Sequence, residues 1–285
     1  MTMPELRTND GSGDFPDSTG ADHIPLGHIN ILAPMAGYVI PLCIALLVIS
    51  TVWEISTIIS NTPVYILPAP SDILRKLVAE PHLFFIEGSI TLGEALAGFM
   101  LGACLALASA FLMAHSSLLE RSLFPLAILI KVTPIVAIAP LFVIWFGFGP
   151  IPKILIAMIM SFFPVLVNAV TGFRAVDPLG LDLMRSLGAS RWEIFSILRI
   201  PYSLPYLFSA FRVAIPLSII GAVVGEWFSA DRGLGSTIIV AHNNLDMPTL
   251  FGAIATLAFI GIMLTTTLAI IERKVLFWHQ SSLVE

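Results

Sequence analysis

Charged residues are scarce in this sequence: they account for 12% of 285 residues, while hydrophobic residues account for 57%. A soluble domain of average usage carries about 25% charged residues, so roughly half of the usual charge is missing. A soluble core of this length does not need so much apolar surface, and the excess must face a lipid bilayer. The composition excludes a soluble enzyme, a nucleic-acid-binding protein and a disordered chain. It predicts an integral membrane protein.

Cysteine is nearly absent, and the two that occur, Cys43 and Cys104, lie inside apolar runs. This arrangement does not support a disulfide framework, so we expect buried free thiols. The sequence also lacks the phosphate-binding pattern G-x-x-x-x-G-K-[ST] and the zinc-binding pattern H-E-x-x-H. We therefore expect no catalytic residue, no metal site and no cofactor in this chain.

Negative charge is concentrated at the start of the chain. Residues 1–30 contain five acidic residues and one arginine, and they are rich in glycine and serine. Such a stretch predicts a disordered cytoplasmic tail, and it has neither the basic start nor the small-residue cleavage site of a signal peptide. We expect a transmembrane domain over residues 31–278 and a short C-terminal tail over residues 279–285.

The sequence contains six apolar stretches near the length at which a helix crosses about 30 Å of hydrocarbon. They predict an all-α membrane protein with six transmembrane helices. Arginine and lysine are enriched in cytoplasmic loops. Eight of these residues lie on the side of the membrane that carries the N-terminus, and four lie on the other side. We therefore expect both termini in the cytoplasm. The predicted spans are Leu32–Trp53, Ile90–Met113, Val132–Gly147, Ile154–Val170, Leu207–Phe228 and Leu250–Ile271.

The longest cytoplasmic segment, about residues 171–206, carries the signals of two short helices. Asp177 followed by a proline predicts the start of the first helix, and Gly188 predicts its end. A capping box that begins at Ser190 predicts the second helix, which we expect Pro201 to terminate. The result is a pair of rigid helices joined by a glycine turn outside the membrane.

The first of these helices has an apolar face, because Leu179, Leu183 and Leu187 recur every four residues. A loop that only meets water does not need these leucines, nor the neighbouring Met184 and Trp192. Two interpretations of the segment remain open from spacing alone. Either its apolar face inserts into a groove on a cytoplasmic partner, or the two helices lie on lipid headgroups.

The sequence of this segment resembles the coupling-loop motif of ABC importer permeases, which is written EAA, three residues, Gly, nine residues, I-x-L-P. Gly188 and Pro201 fall in register with the motif, whereas Asp182-Leu183-Met184 replaces Glu-Ala-Ala. Further stretches are similar to the nitrate/sulfonate/taurine permease family: Ile144-Trp145-Phe146-Gly147-Phe148-Gly149, Phe163-Pro164, Arg185-Ser186-Leu187-Gly188-Ala189-Ser190-Arg191-Trp192 and Gly233-Leu234-Gly235. Within that family, Ile220-Gly221-Ala222-Val223-Val224-Gly225-Glu226 is most similar to members that serve thiamine-pyrimidine precursors or riboflavin.

This resemblance implies the type I ABC importer permease fold, with a coupling-helix loop in the cytoplasm of a bacterium and the spans in its inner membrane. It implies a homodimer of permeases, two cytoplasmic ATPase subunits that bind ATP and Mg²⁺, and a periplasmic or lipid-anchored substrate-binding protein. The implied solute is a pyrimidine or vitamin precursor, or a sulfonate- or nitrate-like anion. The implied ATPase-coupling residues are Asp182, Leu183, Met184, Leu187, Gly188, Trp192 and Pro201.

Three residues are candidates for the translocation pathway. Lys131 lies at the membrane interface if the third span begins near Val132, which the spacing favours, but deep enough to attract an anion if it begins near Leu123. Glu226 either touches the solute or gate, or reaches the interface as a helix-end acid. Trp145 either contacts a planar solute or belongs to an interfacial aromatic belt. An ATP-independent secondary transporter or a channel remains the alternative function.

Overall fold

The computed structural model describes residues 32–277 except residue 230, and side chains from Ile40 onward. Both predicted tails, 1–30 and 279–285, fall outside these residues. In the described part, all regular structure is helical. The helices are α1 Leu32–Ile59, α2 Pro70–Ala79, α3 Pro81–His115, α4 Ser117–Val132, α5 Ile135–Phe146, α6 Pro150–Arg174, α7 Pro178–Ser186, α8 Arg191–Glu193, α9 Ile200–Ser229, α10 Leu234–Asn243 and α11 Met247–Val275, with a π-helical turn over Ile194–Arg199.

The chain divides into two compact units, residues 1–49 and residues 50–285, and the division falls inside α1. In the first unit the side chains of residues 40–49 are all exposed and mostly apolar, as expected for a helix that faces lipid. Cys43 is among them, and Cys104 in α3 is exposed as well. The prediction of buried thiols is therefore wrong, because an apolar helix face in a membrane protein turns toward lipid as readily as toward a core.

The described residues contain five helices long and apolar enough to span a membrane, and α4 with α5, which meet at an angle of 97°, add a sixth if the pair is one broken span. The predicted count of six is met when this bent pair counts as one span. The predicted third span, Val132–Gly147, began too late, because α4 starts at Ser117. Pro134 causes the break, since proline lacks an N–H group and disfavours the helical conformation in the residue before it.

The core of the second unit is α3, α6 and α9, which approach closely through glycines. A Cβ atom added at Gly98 would lie 2.4 Å from the Ala157 side chain, and one added at Gly221 would lie 2.7 Å from the Ala157 Cα atom. Each glycine begins a G-x-x-x-G pair, with Gly102 and Gly225, and both pairs pack on α6. α3 runs parallel and α9 antiparallel to α6. The segment between α6 and α9 and the segment after α9 therefore lie at opposite ends of the core.

Candidate functional site

The segment between α6 and α9 folds locally as its sequence predicts. The Asp177 carboxylate accepts a hydrogen bond from the Leu179 backbone N–H at 3.1 Å and caps α7. Gly188 adopts a φ of +75°, the left-handed conformation that ends a helix. The Ser190 backbone N–H donates to the Glu193 carboxylate at 2.7 Å, and the Glu193 N–H donates to the Ser190 hydroxyl at 3.3 Å. The predicted caps and capping box are confirmed.

Pro201 does not terminate the second helix, and this prediction is wrong. The helix that begins at Arg191 continues through the π-helical turn into α9. In this turn the Ile200 N–H donates to the Phe195 carbonyl, five residues back instead of four. The wider turn accommodates the proline, whose missing N–H would disrupt a regular ladder. The segment between α6 and α9, which we call the coupling segment, is thereby continuous with the core helix α9.

The apolar face of α7 is not covered by any other described part of the chain. Leu179, Leu183 and Leu187 are 77%, 60% and 73% exposed, and Trp192 is 65% exposed. Asp182 and Arg185 form an exposed pair at 3.3 Å, which contributes at most about 1 kcal/mol to stability. We define this set of four exposed apolar side chains as the docking face.

A buried aromatic cluster connects the docking face to the core. Phe195 is 5% exposed, and its ring centroid lies 4.8 Å from that of Phe111 in α3 and 5.2 Å from that of Phe173 in α6. Trp192 stacks on Phe195 at 5.9 Å. Trp192 of the docking face is therefore joined through packed rings to two core helices, α3 and α6. The sequence analysis missed this cluster because its members come from distant segments.

A cavity of about 360 Å³ lies at the break between α4 and α5. It sits beside the middle of α6 and of α9. The sequence analysis places Lys131 deep in the membrane if the third span begins near Leu123. α4 begins earlier still, at Ser117, so this condition is met. The Lys131 ammonium lies 4.6 Å from the ring centroid of Phe163. Lining residues are Ile130, Lys131, Val132, Thr133, Pro134, Ile135, Ile159, Met160, Phe163, Pro164 and Leu217.

The lining of this central cavity is apolar apart from one ammonium and one hydroxyl, those of Lys131 and Thr133. None of its lining residues is acidic. A cation inside a span is costly, and no residue of the cavity lining offsets the charge of Lys131. Trp145 does not line the cavity: it is 66% exposed and packs edge-on against Phe142.

At the opposite end from the docking face, Glu226 is completely buried. Its carboxylate accepts a hydrogen bond from the Thr91 hydroxyl at 2.7 Å and another from the Gly235 backbone N–H. The Leu234 N–H donates to the same Thr91 hydroxyl at 2.9 Å. An acid that reaches the interface would be exposed, so that interpretation of Glu226 is excluded. Contact between Glu226 and a solute would require this cluster to open.

Gly233 and Gly235 enclose the Glu226 carboxylate. Gly233 has a φ of +105°, and a Cβ atom added there would lie 2.0 Å from Glu226 Oε1. One added at Gly235 would lie 2.7 Å from Glu226 Oε2. Only glycine fits at these two positions, which gives the Gly-Leu-Gly stretch a physical reason.

A second set of buried charges lies beside Glu226. The Lys153 side chain is 1% exposed, and its ammonium lies 3.1 Å from Glu94 Oε1 and 2.7 Å from Asp231 Oδ1. Burial by itself would raise the pKa of Asp231, but the hydrogen bond and charge of Lys153 outweigh it and lower the pKa below its usual value. Sequence reasoning missed this set, because its members lie on three segments far apart in the chain.

Known proteins resemble this chain over most of its length. The family described as the binding-protein-dependent transport system inner membrane component matches residues 98–276. The formylaminopyrimidine transport permease protein ThiX of Halalkalibacterium halodurans is 32% identical, over 82% of this chain and 94% of that protein. The riboflavin transport system permease protein RibX of Chloroflexus aurantiacus is 33% identical, over 84% and 90%. The taurine transport system permease protein TauC of Escherichia coli is 31% identical, over 80% and 85%.

Proposed function

The chain belongs to the family of inner membrane components of binding-protein-dependent transport systems, and from this premise we propose that it forms the pathway by which a small organic anion enters a cell. It is a multi-pass permease subunit of an ABC transporter and not an enzyme. Such permeases work with a separate ATPase and with a binding protein that delivers the solute. The observation that carries the proposed solute class is the position of Lys131.

Lys131 favours an anion over a neutral ring compound. Holding a lysine at the centre of a span costs about 2.5 to 3.5 kcal/mol on insertion scales. No acidic side chain lines the central cavity to offset this cost. A sulfonate or carboxylate in transit supplies the missing charge, while the Phe163 ring and the aliphatic lining accept the organic part of the solute. The names of two relatives, the taurine permease and an aliphatic sulfonate permease of Bacillus subtilis, fit this class.

The docking face is the proposed contact with the ATPase. Leu183 and Leu187 enter a groove on that subunit, with Trp192 beside them, and Asp182 lies on the rim of this contact. Met184 on the same helix is half-buried, while Gly188 sets the angle between the two helices. The π-helical turn before Pro201 keeps the face continuous with α9. With six spans and this segment in the cytoplasm, both termini lie in the cytoplasm of a bacterial inner-membrane protein.

We assign Glu226 a positioning role rather than direct contact with the solute. Its two hydrogen bonds join α9 to α3 and to the start of α10, and so fix the outer end of the core. Trp145 is exposed near the end of α5 and lines the outer part of the pathway once a second copy of the chain faces it. Two copies, two ATPases and one extracytoplasmic binding protein complete the proposed importer.

The test is anion uptake by the complete transporter reconstituted in liposomes with its ATPase and binding protein. We expect Lys131→Met to lower uptake of an aliphatic sulfonate at least about tenfold, because an unpaired anion in an apolar cavity is strongly disfavoured. Lys131→Arg keeps the charge and should retain uptake. The matched control is Lys274→Met, which removes an exposed lysine at the end of α11.

The outcomes separate the function from the solute class. Undiminished sulfonate uptake by Lys131→Met, or uptake of a neutral pyrimidine or flavin instead, would reject the anion proposal and leave the permease assignment intact. The names of ThiX and RibX motivate including these neutral solutes. Uptake without ATP or ATPase would instead point to a secondary transporter or channel.

A further inference from the structure

A second cavity, of about 520 Å³, lies between the coupling segment and the end of α3. We call it the basic cavity, because Arg185, Arg191, Arg199 and His115 all line it and none of its lining residues is acidic. The other lining residues are Ala114, Leu181, Ala189 and Ile194. Neither the central cavity nor the docking face includes any of these side chains.

Two of the three guanidinium groups in the basic cavity have no acidic partner among the described residues. Arg185 is paired with Asp182, but both are largely exposed. Arg199 donates a hydrogen bond to the Ala114 carbonyl at 3.4 Å, which leaves its charge unpaired. Within the described residues, no acidic side chain pairs with Arg191 or Arg199. Clustered guanidinium groups repel one another and bind bidentate oxyanions well, so this arrangement calls for an anion.

The basic cavity faces away from the proposed ATPase contact. On α7, Leu181 and Arg185 line the cavity, whereas Leu179 and Leu183 form the docking face. Residues two positions apart on a helix lie about 200° apart, so the two sets occupy opposite sides of α7. The cavity therefore opens toward the ends of the transmembrane helices and not toward the ATPase.

Apolar side chains suited to acyl chains adjoin the cavity. Leu112 lies one helical turn before His115 and is 48% exposed, and Ile197 lies about one turn after Ile194 and is 62% exposed. The apolar part of α3 ends at Ala114 and the polar His115 follows, so we expect this level to lie at the membrane surface on the coupling-segment side. An anionic headgroup above and apolar surface below together match an amphiphile rather than a soluble ion.

We propose that the basic cavity binds the phosphate group of an anionic phospholipid headgroup through Arg185, Arg191, Arg199 and His115. The lipid fills the space between α7 and α3 and supports the coupling segment from its membrane side. Basic pockets between transmembrane helices on the cytoplasmic side commonly bind such headgroups. The inference does not depend on which solute the permease carries.

The test is native mass spectrometry of the complete transporter titrated with phosphatidylglycerol and, separately, with phosphatidylcholine. We expect saturable binding of phosphatidylglycerol only, and about 30-fold weaker binding by the double variant Arg191→Gln and Arg199→Gln. The matched control is Arg273→Gln with Lys274→Gln, which removes two exposed charges near the end of α11. The control should bind within about twofold of the parent chain.

Competition identifies the source of the phosphate. Millimolar glycerol 3-phosphate should not displace the lipid, because it lacks acyl chains; full displacement would overturn the lipid assignment in favour of a soluble phosphate. Equal phosphatidylglycerol binding by the double variant and its parent would overturn the site. Should the double variant fail to fold, Arg191→Gln alone changes an exposed side chain and must still weaken binding.

A photoreactive residue at position 191 of the complete transporter tests the occupant directly. The proposal requires an adduct with the mass of a phospholipid. An adduct with the ATPase would overturn it, as would a link to the acidic segment 1–30 of the same chain.

Discussion

Lys131 and Lys153 are both lysines within apolar helices, yet their surroundings assign them different roles. Lys153 is buried between two carboxylates, at 3.1 and 2.7 Å, and also donates to the Arg232 carbonyl. Lys131 has only an aromatic face and a cavity beside it. The first arrangement satisfies a charge within the fold, and the second leaves a charge for a ligand.

This contrast predicts opposite effects on stability and transport. Lys153→Met leaves Glu94 and Asp231 without their cation, and loss of one partner from a buried pair costs about 3 to 5 kcal/mol. Lys131→Met should instead leave stability unchanged or raise it, because it removes a cation that no acidic residue of the cavity lining offsets. Thermal unfolding of both variants in detergent measures the difference. Equal shifts for the two lysines would show that the Lys153 pairs do not stabilise the fold.

Gly233 offers a second prediction at the scale of one residue. Gly233→Ala combines a left-handed backbone with a Cβ atom 2.0 Å from the Glu226 carboxylate, and we expect it to lower the melting temperature and reduce uptake. The matched control is Gly93→Ala in α3, where nothing lies within 4 Å of the added Cβ atom. Because alanine is favoured in a helix, the control should be neutral or slightly stabilising. Similar losses in both variants would contradict the enclosing role of Gly233.

Among the elements, α7 stands out because its apolar side chains are exposed although it lies outside the apolar spans. Leu179 and Leu183 are 77% and 60% exposed, although an ordinary amphipathic helix buries its apolar face. The segment that follows α7 joins the aromatic cluster, because Trp192 stacks on Phe195. An element with these two properties is suited to transmit the movement of a partner.

The double variant Leu183→Asp with Leu187→Asp tests this role. Two carboxylates cannot enter an apolar groove without a large desolvation cost, so we expect ATP hydrolysis to be uncoupled from uptake. The measurements are ATPase activity and uptake by the reconstituted transporter. Leu245→Asp, at an exposed position in the loop before α11, is the control and should behave as the parent. Unimpaired uptake by the double variant would count against the docking face.

Prediction of the elements from sequence succeeded where the signal was local. The caps at Asp177 and Ser190 and the turn at Gly188 depend on residues within four positions, and all three are as predicted. Pro134 breaks a helix but Pro201 does not, because the π-helical turn compensates for one missing N–H group. A proline in isolation does not reveal which of these outcomes its surroundings allow.

At the scale of the whole molecule, the proposed homodimer would cover some of the surfaces that are exposed in a single chain. Val132 lines the central cavity and is 72% exposed, so a second copy that encloses the cavity would lie close to it. After Cys43 and Cys104 are replaced by serine, we expect Val132→Cys to form a disulfide between two copies under mild oxidation. Val78→Cys, on α2, is 79% exposed and serves as the control.

Gel mobility of the oxidised membranes gives the measurement. Cross-linking at position 132 above that at position 78 supports two copies facing each other across the α4–α5 break. A cross-link from position 132 to a different permease would show a heterodimer instead.

The sequence by itself determined that the chain is an integral membrane protein, that it has five or six apolar spans, and where the capped helices before α9 begin. These depend on composition, on apolar runs and on short-range capping, which need no knowledge of the remaining chain. Only the tertiary structure decided that Glu226 is enclosed by Thr91 and Gly235, that Lys131 lies beside the middle of α6, and that three arginines share one cavity. The physical reason is that each arrangement needs contacts between elements that local patterns cannot report. The packing of α3 against α9 brings Thr91 to Glu226, the break between α4 and α5 places Lys131 beside α6, and the segment before α9 folds its three arginines against the end of α3.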